Sequence, residues 1–350
     1  MQGEVKQQLC AFSYVRIEDR IPKAHPIRRV RFLAKEVLLQ ISPELASMYS
    51  RIGRPSIPPE QLLLSLLLMA LFSVPSEARL MERLEYDLLF RWFVGLDLDD
   101  AVWDATVFSK NRERLLAHEV SSLFLAGVVA KARDLDLLSN DHFSVDGTQL
   151  AAWASLASFR PKDGSGGDGK DFRGQTRTND THGSTTEPEA MLYRKGDGKE
   201  AVLSYIGHAL MENRHGLLVN VKVTPATGTA EREAALDLVD EHLRAGASLG
   251  ADKGYDVADF VNALRKRRVK PHVCAKKKGS AIDGRTTRTD GYGKSVNCRR
   301  HIERIFGWEK TTGGLRRLRL KGLACANMVF QLVGAAYNLM RIAKLRPEAA

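Results

Sequence analysis

Apolar and polar positions recur with two different periods along the 350-residue chain, and the change of period divides it. Up to about residue 138 the spacing is helical. From Pro26 to Tyr49 a polar entry leads into an amphipathic helix with Val30, Leu33, Val37 and Leu38 on one side. Pro55, Pro58 and Pro59 then precede a strongly apolar helix, Glu60 to Phe72, in keeping with the tolerance of proline at a helix start. Ser76 opens a helix whose Leu80, Leu84, Leu88 and Leu89 face inward, followed by Phe90, Trp92 and Phe93. Asp104 to Leu115 begins like a capped helix with Lys110 and Arg112 on its exposed side, and His118 to Leu137 forms another amphipathic helix. Short helices joined by tight turns fit a DNA-binding helix-turn-helix-like module or a plain structural bundle equally well.

Beyond residue 138 the period shortens. Phe143 and Val145 alternate with Ser144 and Asp146, and Gly147 permits a turn, so a strand is expected to end at Asp146, facing a cleft. Ser248 to Asp256 repeats the arrangement, with Asp252 at a strand end and a glycine two residues on. Residues 160–199 carry eight glycines and few apolar side chains, which predicts a long mobile loop. Ala201–His208 and Leu217–Val223 are strands around a turn at Glu212–Gly216, and with the Asp146 strand they make an antiparallel meander. Helices at Glu231–Arg244, Val257–Arg268 and Arg299–Lys310, with a strand at Pro271–Ala275, complete the order. Three strands, helix, strand, helix, strand, helix matches an α/β architecture: an RNase H-like mixed sheet flanked by helices, behind an all-α N-terminal domain. The expected divisions are 1–138, 139–330 and a C-terminal helix at 331–350, with 276–297 a basic, substrate-facing loop.

Charge changes the picture. The formal net charge is +11, and residues 265–321 hold 19 Lys and Arg against 4 acids, net +15, which leaves the rest of the chain at −4. A solvated face is the ordinary explanation of a basic run, but this one surrounds Glu303 and includes Tyr292, Phe306 and Trp308, which favours a nucleic-acid partner. Cys10, Cys274, Cys298 and Cys325 show no paired spacing, so reduced thiols are expected rather than zinc or disulfides. The first residues lack a signal pattern, and Leu62 to Phe72 is too short to cross a bilayer, so a cytoplasmic protein without a membrane partner is expected.

Asp146 and Asp252 on strand ends and Glu303 on a helix make a candidate metal site. Hard oxygen donors suit Mg2+, with Mn2+ a substitute, and two such ions can activate an attacking hydroxyl and stabilise the leaving oxygen of a phosphodiester. Most single acids are merely solvated, and Asp141 and Asp256 lie close by as alternatives. The joint pattern carries the reading.

Several stretches resemble one family. Gly53–Pro59, Leu88–Gly95 and Val102–Arg112 are similar to the helical domain of DDE transposases of bacterial insertion sequences, specifically the insertion-sequence-five family. Val145-Asp-Gly-Thr148 and Ala251-Asp-Lys-Gly-Tyr255 resemble its first and second acid motifs, and Arg299, Glu303 and Lys310 fit the spacing of its third. Val296 stands where that motif has tyrosine, with Tyr292 nearby as a substitute. The resemblance covers nearly the whole length. It implies that Asp146, Asp252 and Glu303 are catalytic and hold two divalent ions, while Arg299 and Lys310 grip phosphates. It also implies a homo-oligomer on DNA, associated with the nucleoid, that binds terminal inverted repeats, cuts at them and joins the freed 3′-hydroxyls to target DNA. A metal-dependent endonuclease of the same fold, or an inactive domesticated DNA-binding protein, are the alternatives.

Overall fold

The N-terminal part is helical because its apolar residues recur on single faces. A computed structural model describes residues 16–50, 52, 56–163, 177–196 and 198–347; the Gly53-Arg-Pro55 part of the first motif lies outside them. The helices are α1 (Ile17–Arg20), α2 (Pro26–Gln40), α3 (Ser42–Ser47), α4 (Pro59–Leu71), α5 (Glu77–Tyr86), α6 (Leu88–Val94), α7 (Ala105–Ala117) and α8 (Val120–Asp134). Helix α2 buries Val30, Leu33, Val37 and Leu38 as its spacing predicts, and α4 is buried nearly all round. The helix expected from Ser76 through Leu89 is broken at Asp87. That carboxylate accepts from the Leu89 and Phe90 amides at 3.0 and 3.3 Å and starts α6 at a new angle. Asp104 caps α7 in the same way, 2.8 Å from the Thr106 amide.

The second part runs β1 (His142–Ala151), β2 (Phe159–Pro161), β3 (His182–Ser184), β4 (Met191–Tyr193), β5 (Val202–Glu212), β6 (Leu217–Pro225), α9 (Ala230–His242), β7 (Ser248–Ala251), α10 (Ala258–Lys266), β8 (Lys270–Val273), α11 (Gly284–Thr287), α12 (Asp290–Cys298), α13 (Arg300–Thr311) and α14 (Leu323–Leu345). In the sheet, β6 lies beside β5, β5 beside β1, β1 beside β7 and β7 beside β8, with the short β4 also paired to β5. β5 is antiparallel to both β1 and β6, whereas β1, β7 and β8 are parallel. This order, an antiparallel meander followed by two parallel strands added through helices, is the RNase H-like arrangement.

Each face of the sheet has its own core. Phe143 and Val145 of β1 pack with Leu238 and Val239 of α9 and Phe260, Val261 and Leu264 of α10. On the other face Leu150, Tyr205 and Met211 join α13, α14 and the N-terminal helices in one continuous core. Helix α14 is the strut between the two parts, because it packs on β6, α8, α4 and α2 together. It begins at Leu323, earlier than the expected 331. By length and composition it could cross a membrane, yet most of it is buried within the protein. Its polar residues explain why: Gln331 accepts from Ser121 of α8 at 2.7 Å, and Asn338 both accepts from the Leu218 amide and donates to the Leu218 carbonyl, at 2.9 and 2.8 Å. Asn338 thereby closes the free edge of β6. Asn338→Ala would leave two buried backbone groups unpaired and is expected to cost about 2–4 kcal/mol, read from urea unfolding; a loss below about 0.5 kcal/mol would mean that water replaces the amide.

Three expectations are corrected by the fold. Gly147 makes no turn, since β1 continues through it to Ala151. The described portion of 160–199 is not a plain loop, because β2 pairs with β3 and β4 with β5; residues 164–176 and 197 lie outside the described residues. Within the basic stretch 276–297, residues 276–283 are a loop but 284–287 form α11 and 290–297 most of α12, which a 2.6 Å hydrogen bond shared between His272 and Ser295 holds on β8.

Candidate active site

Strand register brings the two aspartates together. β1 and β7 pair in parallel as His142 with Ser248, Phe143 with Leu249 and Ser144 with Gly250. The pairing ends there; Asp146 lies two residues further along β1 and Asp252 directly after the end of β7, close enough for the two carboxylates to repel each other. Asp146 is largely enclosed, and one oxygen accepts from the Gly147 amide at 2.8 Å. Burial pushes its carboxyl up to about 7, against the pull of the Gly147 amide, and Asp252 and Glu231 add repulsion that Arg299 only partly offsets. Asp252 ends β7 and caps the turn Lys253–Tyr255 by accepting from the Gly254 amide at 2.7 Å.

Glu303 comes from the first turn of α13, on the side of the sheet that Asp146 faces. Its carboxylate meets Arg299 Nη2 at 2.9 Å, and Arg299 Nη1 lies 3.6 Å from Asp146. A guanidinium thus stands between two of the predicted catalytic acids, in a place suited to positive charge. Among the described residues no three acids, histidines or cysteines already converge as a metal-ligand group, because Glu303 is turned towards Arg299. The donors that are close are all hard carboxylate oxygens, which fit a divalent cation of the magnesium type.

Lys310 is half-buried near Asp146, and burial, with Lys195 and Arg316 beside it, lowers its ammonium below the usual lysine range. Lys110 is exposed on α7. Arg112 is not: it is buried and its Nε lies 2.6 Å from Glu77 on α5, so it serves as an internal ion pair and presents no charge to DNA. Val296 leaves the tyrosine position aliphatic. Tyr292 does not replace it, since its hydroxyl donates to the Val273 carbonyl at 3.1 Å and accepts from the Ala275 amide at 3.3 Å.

Four residues near the acids escape a reading of the sequence. Glu231 opens α9 and reaches over Gly147, where an added Cβ would meet its Oε1 at 2.6 Å. Lys195 follows β4. Arg316 and Trp153 come together because residues 315–318 run beside the end of β1, with the Leu318 amide donating to Ala151 at 2.8 Å. Trp153 is 43 % exposed, the Lys321 ammonium lies 4.2 Å from its ring centre, and it borders an open groove lined by Lys310, Arg316, Arg317 and Arg319. An exposed indole in a basic groove is suited to stacking on a base while phosphates are neutralised beside it. Trp153 sits among alanines, in Leu150-Ala-Ala-Trp-Ala-Ser-Leu-Ala157, with neither the alternation of a strand nor a run of charge to mark it.

Paired carboxylates on neighbouring parallel strands, a third on the adjoining helix and a basic groove define an enzyme of phosphodiester chemistry on DNA. Residues 15–114 match the family described as Transposase domain (DUF772), and residues 168–339 match the family described as Transposase DDE domain. Together these matches take in most of the chain, which is a DDE transposase: it cuts DNA strands and transfers them, and the reaction depends on divalent metal. Asp252 and Glu303 fall within the DDE match, and Asp146 lies ahead of it. No curated protein gives a significant match. Among solved structures, the piggyBac transposase in a synaptic complex with hairpin DNA is similar at 10 % identity and TM-score 0.42, over 92 % of this chain and 76 % of that one. The Mos1 transposase in a paired-end complex with the left transposon end is similar at 10 % identity and TM-score 0.21, over 76 % and 81 %.

Proposed function

We propose that this transposase serves an insertion sequence of the insertion-sequence-five type, binding the terminal inverted repeats of that element in the bacterial cytoplasm. The meeting of Asp146 on β1 with Asp252 just past β7, and of Glu303 with Asp146 through Arg299, carries this reading. These three acids would hold two Mg2+ ions, or Mn2+ in their place, which activate the attacking hydroxyl and neutralise the leaving oxygen. Arg299, Lys310, Lys195 and Arg316 surround the acids with positive charge and would position the scissile phosphate. Trp153 would take a base displaced from the duplex, a role the aliphatic Val296 cannot fill. The exposed face of α7, with Lys110, is the proposed reader of the repeats. The working unit is proposed to be a homo-oligomer that holds two ends together, as cutting and joining both ends demands.

The test is binding of the full chain to a duplex carrying the element's end. Lys195→Ala with Arg316→Ala is expected to flatten the dependence of log affinity on log salt by about 0.9 for each phosphate that is no longer neutralised. Trp153→Ala is expected to cost about 1–3 kcal/mol on an end with an unpaired base and far less on intact duplex. Unchanged slopes and equal affinities would remove this groove from the DNA path. Lys110→Ala should narrow the preference for repeat over scrambled duplex in competition gel shifts; an unaltered preference would move end recognition off α7.

A further inference from the structure

We propose that Glu187 is a positioning residue for DNA, whose buried carboxylate ties the backbone beside Trp153 to the backbone beside Lys321 and so sets the indole for an unpaired base. This rests on the base-stacking reading of Trp153 given above.

The groove wall is built where regular structure has ended. Trp153 follows β1 and Lys321 precedes α14, and neither 152–155 nor 318–322 belongs to a helix or strand. The placement of the Lys321 ammonium 4.2 Å from the indole centre must therefore come from bonds between the two segments. Arg317 supplies one, donating to the Trp153 carbonyl at 3.0 Å. Glu187 supplies two more. Its Oε2 accepts from the Ala154 amide at 2.5 Å and its Oε1 from the Gly322 amide at 2.9 Å. One carboxylate thus bridges the residue after Trp153 and the residue after Lys321.

Glu187 is 2 % exposed, and three neutral donors meet its carboxylate, the third being the Tyr205 hydroxyl at 3.2 Å. Burying an acid without a counter-ion is costly, so mere filling of space would be better served by a neutral side chain. Capping of α14 does not explain it either, because Glu189 already accepts from the Leu323 amide at 3.0 Å and the Ala154 bond leads away from that helix. A group that only accepts, with an oxygen for each side, is what a link between two backbone N–H groups requires.

The acid is itself held in place. Ser184 Oγ accepts from the Glu187 amide at 3.0 Å and shares a 2.7 Å hydrogen bond with Ser158 Oγ, so the turn that carries Glu187 is anchored to the chain leaving Trp153. The consequence falls on the ring. A side chain that must be ordered as its partner arrives spends part of the binding energy on that ordering, whereas an indole fixed beforehand, with Lys321 over one face, offers the other face to a base at once.

The experiment measures binding of the full chain to two end duplexes, one intact and one carrying an unpaired fluorescent base analogue whose emission is quenched by stacking. Glu187→Gln keeps the shape but turns one acceptor oxygen into an NH2 group, which neither amide can receive, so one of the two links breaks. It is expected to weaken binding of the unpaired-base end about tenfold, part of what stacking on an aromatic ring is worth, and to reduce the quenching. Intact duplex, held through its phosphates, should change by at most about twofold. With Trp153→Ala already present, adding Glu187→Gln should cost no more than about twofold on either duplex, because the two residues act as one unit. Equal losses on both duplexes with a lowered Tm, or the full loss persisting without the indole, would make Glu187 a structural acid and overturn the proposal. Should Glu187→Gln fail to fold, Glu187→Asp, which keeps the charge but is too short to reach both amides, is read in the same way. Wild-type binding of the unpaired-base end by Trp153→Ala would instead overturn the stacking reading itself.

Discussion

Asp146→Asn or Asp252→Asn is expected to lower strand cleavage by at least about 10³-fold while end binding stays within a few-fold of wild type. Each change removes a carboxylate charge without altering shape, and several kcal/mol of transition-state stabilisation by metal correspond to about three powers of ten in rate. The backbone around both sites is fixed by features the substitutions leave alone: the β1–β7 register for Asp146 and the turn at Lys253–Tyr255 for Asp252. An asparagine oxygen can still accept the Gly147 or Gly254 amide, so the fold has no reason to change. Glu303→Gln should likewise lose cleavage, and it frees Arg299 from one of its two acids. Cleavage of a labelled end substrate in Mg2+ measures all three. Any variant that cuts at the wild-type rate takes its acid out of the chemistry.

Glu309→Gln is expected to stabilise the protein at pH 8 and to change it little at pH 4.5. Glu309 is 1 % exposed on the inner face of α13, and neither carboxyl oxygen has a hydrogen-bond partner. Burial pushes its carboxyl up to about 8, with the Lys310 charge opposing weakly. The folded value lies above the unfolded one of about 4.5, so between these limits the folded chain keeps a proton that the unfolded chain has released. Stability contributed by the group is complete below pH 4.5 and is lost as pH rises to about 8, at roughly 1.4 kcal/mol per pH unit. The variant lacks this loss. Comparing urea midpoints of wild type and Glu309→Gln at both pH values cancels the other titrating groups. A difference that does not grow with pH would show that Glu309 is ionised in the folded protein.

Much of this fold is legible in the sequence because the elements that bear the acids bury apolar side chains at regular spacing. β1, β5, β6, α9 and α10 appear close to where the pattern puts them, with Asp146 on β1 and Asp252 directly after β7. What escapes is set by interactions between distant segments. Gly147 reads as a turn because that is what glycine most often permits, whereas it lies within β1 under the Glu231 side chain, 84 positions further on. Arg112 reads as exposed until the α5 helix supplies Glu77. Helix α12 is silent to periodicity because polar bonds anchor it: Ser295 to His272 and Tyr292 to the Val273 carbonyl. The strands at 182–184 and 191–193 are three residues long, too short for any alternation to stand out.

Helix α14 ties the order of synthesis to the order of action. The N-terminal helices leave the ribosome first, but the apolar faces that α14 covers stay open until about 190 further residues have been made after α8. At about 5–20 residues per second this is roughly 10–40 s of waiting. A chain interrupted before Leu323 has neither a closed helical part nor a sealed β6 edge. Such a fragment would be left to proteolysis or aggregation, and it could not occupy DNA ends as a silent competitor of complete chains. A gene copy that stops before Leu323 is therefore expected not to repress intact ones through its protein product.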